Sequence, residues 1–150
     1  MTDFDILSDV RAKGKTGAAA RPLRILIVDD NKSFAETLSW VLEGVGDTVE
    51  TAHSGPEGLE AAGRFDPDIV FLDIVLPVMD GYEVCKQLRT QSANPSLKII
   101  AQSGYGDTEI EASKRGACFD VHLSKPLDLR QVVGVLNDIR WNRLKPRRSN

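Results

Sequence analysis

Three aspartates, a serine and a lysine occupy places in this 150-residue chain where polar side chains should be rare, because each follows a run of apolar residues. Asp29 and Asp30 close "LRILIV", Asp73 interrupts "VFLDIVLPVMDG", Ser103 ends "LKIIAQS" and Lys125 follows "FDVHLS". An ionised carboxylate is almost never fully buried without a partner, so Asp73 belongs at the end of a buried strand, facing something cationic. Carboxylates gathered in one cleft repel, which raises at least one pKa unless a cation neutralises them. Such oxygen donors suit Mg2+, or Mn2+ in its place, and Mg2+ tends to keep waters and bridge to phosphate. With a lysine as point charge and a serine hydroxyl as donor, the set describes a site for a phosphoryl group with one of the carboxylates as nucleophile.

The elements that must bring these residues together can be read along the chain. "LRILIV" at 23–28, "TVETA" at 48–52, "DIVFLD" at 68–73, "LKIIAQS" at 97–103 and "FDVHLS" at 119–124 have strand character, the β-branched and aliphatic runs being of the kind buried on both faces. Between them lie helical patterns. "SFAETLSWVLEGVG" spaces Phe34, Leu38, Val41, Leu42 and Val45 at helical intervals, with Ser33 as N-cap, Glu36 completing a capping box, and Gly44 and Gly46 near the stop. "GPEGLEAAGRF" starts a second helix with Pro56 in its first turn, "GYEVCKQLRT" a third after the Asp80-Gly81 turn, and "DTEIEASKRG" a fourth closed by Gly116. "LDLRQVVGVLNDIRWNRL" is a final amphipathic helix. Five strands alternating with five helices predict an α/β fold, a doubly wound parallel sheet covered on both faces. Ligands in such folds bind beyond the carboxyl ends of the strands, where all five polar residues fall.

Charge and composition exclude several classes of function. The net charge of −3 is unevenly spread: residues 23–139 carry 10 basic and 19 acidic side chains, while residues 140–150 carry five basic and no acidic ones. The acidic body does not offer the basic footprint that nucleic acid needs, and the basic tail reads as a solvated helix end. Cys85 and Cys118 have neither metal-ligand spacing nor the density of a disulfide framework, so they are expected to be free thiols in a reducing, cytoplasmic compartment. No secretory signal or membrane-length apolar run is found. "GKTG" at 14–17 is not a phosphate-binding loop, since Asp9 stands where its first glycine is needed and no strand precedes it. Met79, Trp40 and Trp141 read as packing residues, and His53 and His122 as partly exposed strand residues.

The pieces "ILIVDDN", "VFLDIVLPVMDG", "QSGYG" and "LSKPLD", in this order and spacing, resemble the receiver domain of two-component response regulators over about residues 23–144. The resemblance implies a flavodoxin-like, CheY-like sheet of order 2-1-3-4-5, with residues 1–22 as a flexible leader and 145–150 as a basic tail. It makes Asp73 the phosphoacceptor. Asp30, Asp73 and the backbone carbonyl of Val75 become direct Mg2+ ligands, and Asp29 holds the metal through water. Lys125 pairs with the phosphoryl oxygens, and Ser103 swings inward to one of them, with the loop 103–107. The Lys125-Pro126 bond is expected to be cis, as X-Pro bonds permit.

Two positions depart from the family pattern. His122 stands where an aromatic switch residue is usual, so the readout is expected to depend on Ser103 more than on His122, and His122→Ala should leave partner binding phosphorylation-dependent. Val75 and Tyr105, two residues beyond Asp73 and Ser103, offer no carboxylate or amide to orient an attacking water, which implies a long-lived phosphoryl group.

The resemblance implies a phosphoryl donor that is a histidine kinase or histidine phosphotransfer protein, and a downstream protein target on the face of the fourth helix, fifth strand and fifth helix. No DNA-binding domain is expected, because the chain ends soon after its last helix, and no membrane contact is expected, because no apolar run is long enough; phosphorylation-dependent homodimers remain an alternative. "VHLSKPLDL" is also similar to receivers attached to hybrid kinases. Among rival functions, a phosphohydrolase with an aspartate nucleophile would place a second aspartate where Val75 stands. A flavin carrier would not put two carboxylates in its phosphate loop. A scaffold without phosphorylation would not need the full set of site residues.

Overall fold

A computed structural model of the protein describes residues 22–104 and 118–141. The expected fourth helix, Tyr105, the leader and the tail lie outside these residues. The strands are β1 (Arg24–Val28), β2 (Thr48–Ala52), β3 (Ile69–Asp73), β4 (Lys98–Ser103) and β5 (Val121–Ser124). They form one sheet in the order β2-β1-β3-β4-β5, every neighbouring pair parallel. Four helices occur among the described residues: α1 (Lys32–Gly44), α2 (Gly55–Phe65), α3 (Gly81–Gln91) and α4 (Leu129–Arg140). The predicted doubly wound α/β architecture is what the chain adopts.

Strand side chains alternate between the two sheet faces, and each face has its own core. On one, Leu26, Val28, Val70, Leu72 and Ile99 pack with Ala61 and Phe65 of α2 and Val84 and Leu88 of α3. On the other, Ile25, Ile27, Ile69, Phe71 and Ile100 pack with Leu38 and Leu42 of α1 and Val132 and Leu136 of α4. β3 is buried along its whole length, which is why its sequence shows no polar alternation before Asp73.

Helix starts set the site loops. Asn31, and not Ser33, caps α1: its side chain accepts the Phe34 N–H at 3.1 Å, so the helix begins one turn-fraction closer to Asp30 than the capping-box pattern predicts. Ser54 and Asp80 cap α2 and α3 in the same way. Gly81 permits the approach of α3 to β3, because a Cβ there would lie 2.6 Å from both the Asp73 carbonyl oxygen and the Ile74 Cα.

Two further expectations are corrected. Trp40 is 64% exposed on α1 and is not a packing residue, whereas Met79 packs against the core. Cys85 and Cys118 are joined in a disulfide, not free. Their separation of 33 residues carries no pairing signal in sequence, but the fold lays α3 beside the residues leading into β5, with the Cα atoms 6.3 Å apart. With its two cysteines paired, the chain has no free thiols to point to a reducing, cytoplasmic compartment. No helix among the described residues is long and apolar enough to cross a membrane.

Candidate functional site

The site is assembled from strand ends. Asp29 follows β1 and is fully buried; its backbone N–H donates to Ala52 of β2 at 3.0 Å. One carboxylate oxygen accepts the Asn31 N–H at 2.9 Å, and the other accepts Lys125 Nζ at 2.8 Å and Gln102 Nε2 at 3.2 Å. Asp30, next in the chain, is exposed. Asp73 closes β3, is 5% exposed, and holds the Val75 N–H at 3.1 Å on one oxygen while the other lies 3.4 Å from Lys125 Nζ. One carboxylate oxygen from each of Asp29, Asp30 and Asp73 lies within 4.8 Å of the others.

Lys125 follows β5, with its backbone N–H on the Ser103 carbonyl at 2.6 Å and its ammonium 4.7 Å from the centre of the Phe34 ring. It thus meets both buried carboxylates from a direction supported by α1. The Lys125-Pro126 bond is cis, as expected. Ser103 ends β4, almost fully buried, in register with Ser124. His122 is half-buried in β5 opposite Ala101.

Electrostatics single out Asp73. Burial, and then the negative charge of Asp29, raise its pKa from 3.8 to about 6, although Lys125 and the Val75 N–H pull the other way. Burial works against the charge on Lys125, but hydrogen bonding to Asp29 and the charges of Asp73 and Asp29 outweigh it and hold the ammonium above the usual lysine range. One lysine does not neutralise three carboxylates. The cluster fits a small divalent cation: its donors are all carboxylate oxygens, one exposed and two buried, and the strained ionisation of Asp73 is what a bound cation would relieve.

All the expected residues that are described, namely Asp29, Asp30, Asp73, Val75, Ser103 and Lys125, come to one end of the sheet. His122 sits on the adjoining strand. Gln102 was missed. It is fully buried, its amide reaches Asp29, and its backbone carbonyl accepts the Ile74 N–H at 3.0 Å beside Asp73. The signal was a glutamine within an otherwise apolar strand run. His53, after β2, also touches the site, with Nδ1 3.0 Å from the Asp29 carbonyl oxygen.

A doubly wound α/β protein with an acidic cluster and a lysine at its strand ends belongs to a narrow class. Residues 25–137 match the response regulator receiver domain, and the chain belongs to that family. It is 40% identical over 110 residues to the alkaline phosphatase synthesis transcriptional regulatory protein PhoP of Bacillus subtilis, covering 73% of this chain and 45% of that protein. It is 37% identical over 111 residues to the response regulator MprA of Mycobacterium ulcerans, covering 74% and 47%. The chain thus spans about half the length of these curated relatives. Among solved structures it resembles a putative response regulator from Chloroflexus aurantiacus (TM-score 0.72, 33% identity, covering 81% of this chain and 99% of that one). The chemotaxis protein CheY4 of Vibrio cholerae is similar too (TM-score 0.71, 28% identity, covering 79% and 99%).

Proposed function

We propose that Asp73 accepts a phosphoryl group from a phosphohistidine on a histidine kinase or histidine phosphotransfer protein, in a Mg2+-dependent reaction that switches the binding of a downstream protein. A carboxylate oxygen of Asp73 forms the new bond to phosphorus as the bond to the imidazole nitrogen breaks, and the phosphohistidine ring, protonated on its other nitrogen, leaves as a neutral imidazole. The observation that carries the reading is the placement of Asp73. It is nearly buried at a strand end and crowded by Asp29, and it lies within reach of a lysine already held for it.

Asp30, Asp73 and the Val75 carbonyl are the direct ligands in this reading, and Asp29, anchored by Lys125 and Gln102, acts through water. When bound by these residues, a divalent cation would supply positive charge to stabilise the phosphoryl oxygens. Lys125 moves from Asp29 to those oxygens, and Ser103 donates its hydroxyl to one of them. The change of charge biases a two-state equilibrium that Ser103 reads chiefly, with His122 secondary. The receiver spans residues 23–144 and works in the cytoplasm. It is a phosphoacceptor rather than an enzyme with a separate substrate, since Val75 presents an exposed valine side chain where a phosphohydrolase needs its acid.

Intact mass after incubation with a small acyl phosphate tests the reading. A Mg2+-dependent gain of one phosphoryl group, absent from Asp73→Asn, is expected. A folded, Mg2+-binding protein that gains none from the acyl phosphate or from a phosphohistidine donor would overturn it.

A further inference from the structure

The Cys85–Cys118 disulfide is one of several contacts that hold the residues leading into β5 against α3. Beside it, the Phe119 ring meets Tyr82 edge-on, with ring centres 5.5 Å apart. One turn further along α3, Arg89 donates to the Cys118 carbonyl at 2.7 and 3.1 Å and to the Asp120 carboxylate at 2.6 Å. Both ends of this junction touch the phosphoacceptor site. Tyr82 and Phe119 pack with Ile74, the residue after Asp73, and with Ala101, the residue before Gln102. Gly81, in the first turn of α3, donates its N–H to the Ile74 carbonyl at 2.8 Å. β5 carries Lys125 at its other end, bonded to Ser103.

The two sulfurs differ in access. Cys85 is fully buried, but Cys118 is half-buried and lines a surface cavity of about 360 Å³ with Asp80, Tyr82, Glu83 and Lys86. An incoming thiol therefore reaches Cys118 before Cys85, through a cavity where the charge of Lys86 is set against those of Asp80 and Glu83. The Arg89 contacts to Cys118 and Asp120 do not depend on the sulfur–sulfur bond, so after cleavage the two cysteines stay near enough to rejoin although the covalent restraint is gone.

We propose that Cys85 and Cys118 form a reversible thiol–disulfide exchange site, reduced by a small dithiol through the cavity at Cys118, whose state sets how readily Asp73 is phosphorylated. In the first step a dithiol thiolate attacks the Cys118 sulfur, the disulfide breaks, and Cys85 leaves as a thiolate that takes up a proton. The second thiol of the reductant then attacks the mixed disulfide and releases Cys118. Two electrons and two protons pass to the protein, and the reductant becomes a disulfide. The closed form pins β5 to α3 and resists the rearrangement of Ser103 and Lys125 around a phosphoryl group; the open form yields to it. In a reducing compartment a disulfide of this kind is a transient, redox-sensing one. The coupling to phosphorylation rests on the phosphoacceptor reading.

The test compares oxidised wild type with wild type reduced by dithiothreitol, each state verified by intact mass and thiol count, for the rate of phosphoryl gain from acetyl phosphate with Mg2+. Reduced protein is expected to react about fivefold faster, within the range of coupling between linked sites. Cys85→Ser and Cys118→Ser should match the reduced rate with or without dithiothreitol. Equal rates in the two verified states, or a disulfide that does not form under mild oxidant or resists dithiothreitol in the folded protein, would overturn the proposal while leaving the phosphoacceptor reading intact. Phosphoryl gain in neither state would overturn that reading, and the coupling with it. The wild-type comparison stands even if a serine variant misfolds.

Discussion

At the scale of single residues, the raised pKa of Asp73 has a consequence for stability. Its carboxyl holds a proton more tightly in the folded chain, at about 6, than at the ordinary value of 3.8. A folded pKa above the unfolded one means that stability falls as the pH rises between these values, and the loss persists at neutral pH. With a chelator present, Asp73→Asn should stabilise the protein at pH 7 by roughly 1 to 2 kcal/mol, because it removes the buried charge that Asp29 opposes. Urea denaturation at pH 7 and pH 4 checks this: the gain should shrink at pH 4, and a less stable variant at pH 7 would refute it. Gln102 makes the complementary case. Its Nε2 orients Asp29, but its Oε1 is buried without a hydrogen-bond partner among the described residues. Gln102→Leu therefore removes a helpful donor and an orphan acceptor together, so stability should change by less than about 1 kcal/mol while Mg2+ affinity falls severalfold. Titration calorimetry on the unphosphorylated protein measures the latter, and unchanged affinity would remove Gln102 from the site. Asp73 was legible in the sequence as a charge in an apolar run. Gln102 was not, because a neutral amide in a strand raises no comparable electrostatic objection until Asp29 is seen beside it.

At the scale of elements, the strand runs and most helices were legible because buried parallel strands need continuous apolar sequence and the helices on them need apolar stripes. "TVETA" and "GPEGLEAAGRF" became β2 and α2 with the expected limits. The start of α1 was misplaced because Ser33 and Glu36 satisfy the capping-box pattern, yet Asn31 is the residue whose backbone is extended and whose oxygen faces the first turn. The disulfide was missed for a different reason, since its two cysteines come together only through the packing of α3 against the chain leading to β5. Gly81 shows how an element boundary can serve the site. A methyl group added there would collide with the backbone of Asp73 and Ile74, and neither contact is a flexible side-chain tip that could move aside. Gly81→Ala should cost on the order of 1 to 3 kcal/mol, as overpacked positions do, and should slow phosphoryl gain at Asp73 more than Gly134→Ala, a helical glycine with open space around it. Comparable behaviour of the two variants would show that the α3–β3 approach does not position Asp73.

Across the whole molecule, the aspartates gathered at the site differ in their surroundings from those beside the amino ends of the strands. Asp29, Asp30 and Asp73 crowd together at the carboxyl ends, where a single lysine serves two of them. At the amino ends the carboxylates have structural partners: Asp68 accepts the Arg24 N–H, Asp120 accepts the Ile99 N–H and pairs with Arg89, and Asp47 accepts the Leu23 N–H and pairs with Arg140. Sequence alone does not separate these groups, because the net −9 of the body counts them alike; strand direction separates them. The Asp47–Arg140 pair is the clearest structural clamp. It ties the last turn of α4 to the loop before β2, with the Asp47 side chain 1% and the Arg140 side chain 10% exposed and two contacts of 2.9 and 3.1 Å. Removing the guanidinium leaves a buried carboxylate that, among the described residues, keeps the Leu23 N–H, and breaking a buried pair in this way typically costs about 3 to 5 kcal/mol. Arg140→Ala should therefore lower the urea midpoint strongly. Because the pair sits at the end of the sheet opposite Asp73, the folded variant should still bind Mg2+ with wild-type affinity. Loss of Mg2+ affinity in protein shown to be folded by circular dichroism would mean that the two ends of the sheet are energetically coupled, contrary to the separation of roles drawn from their geometry.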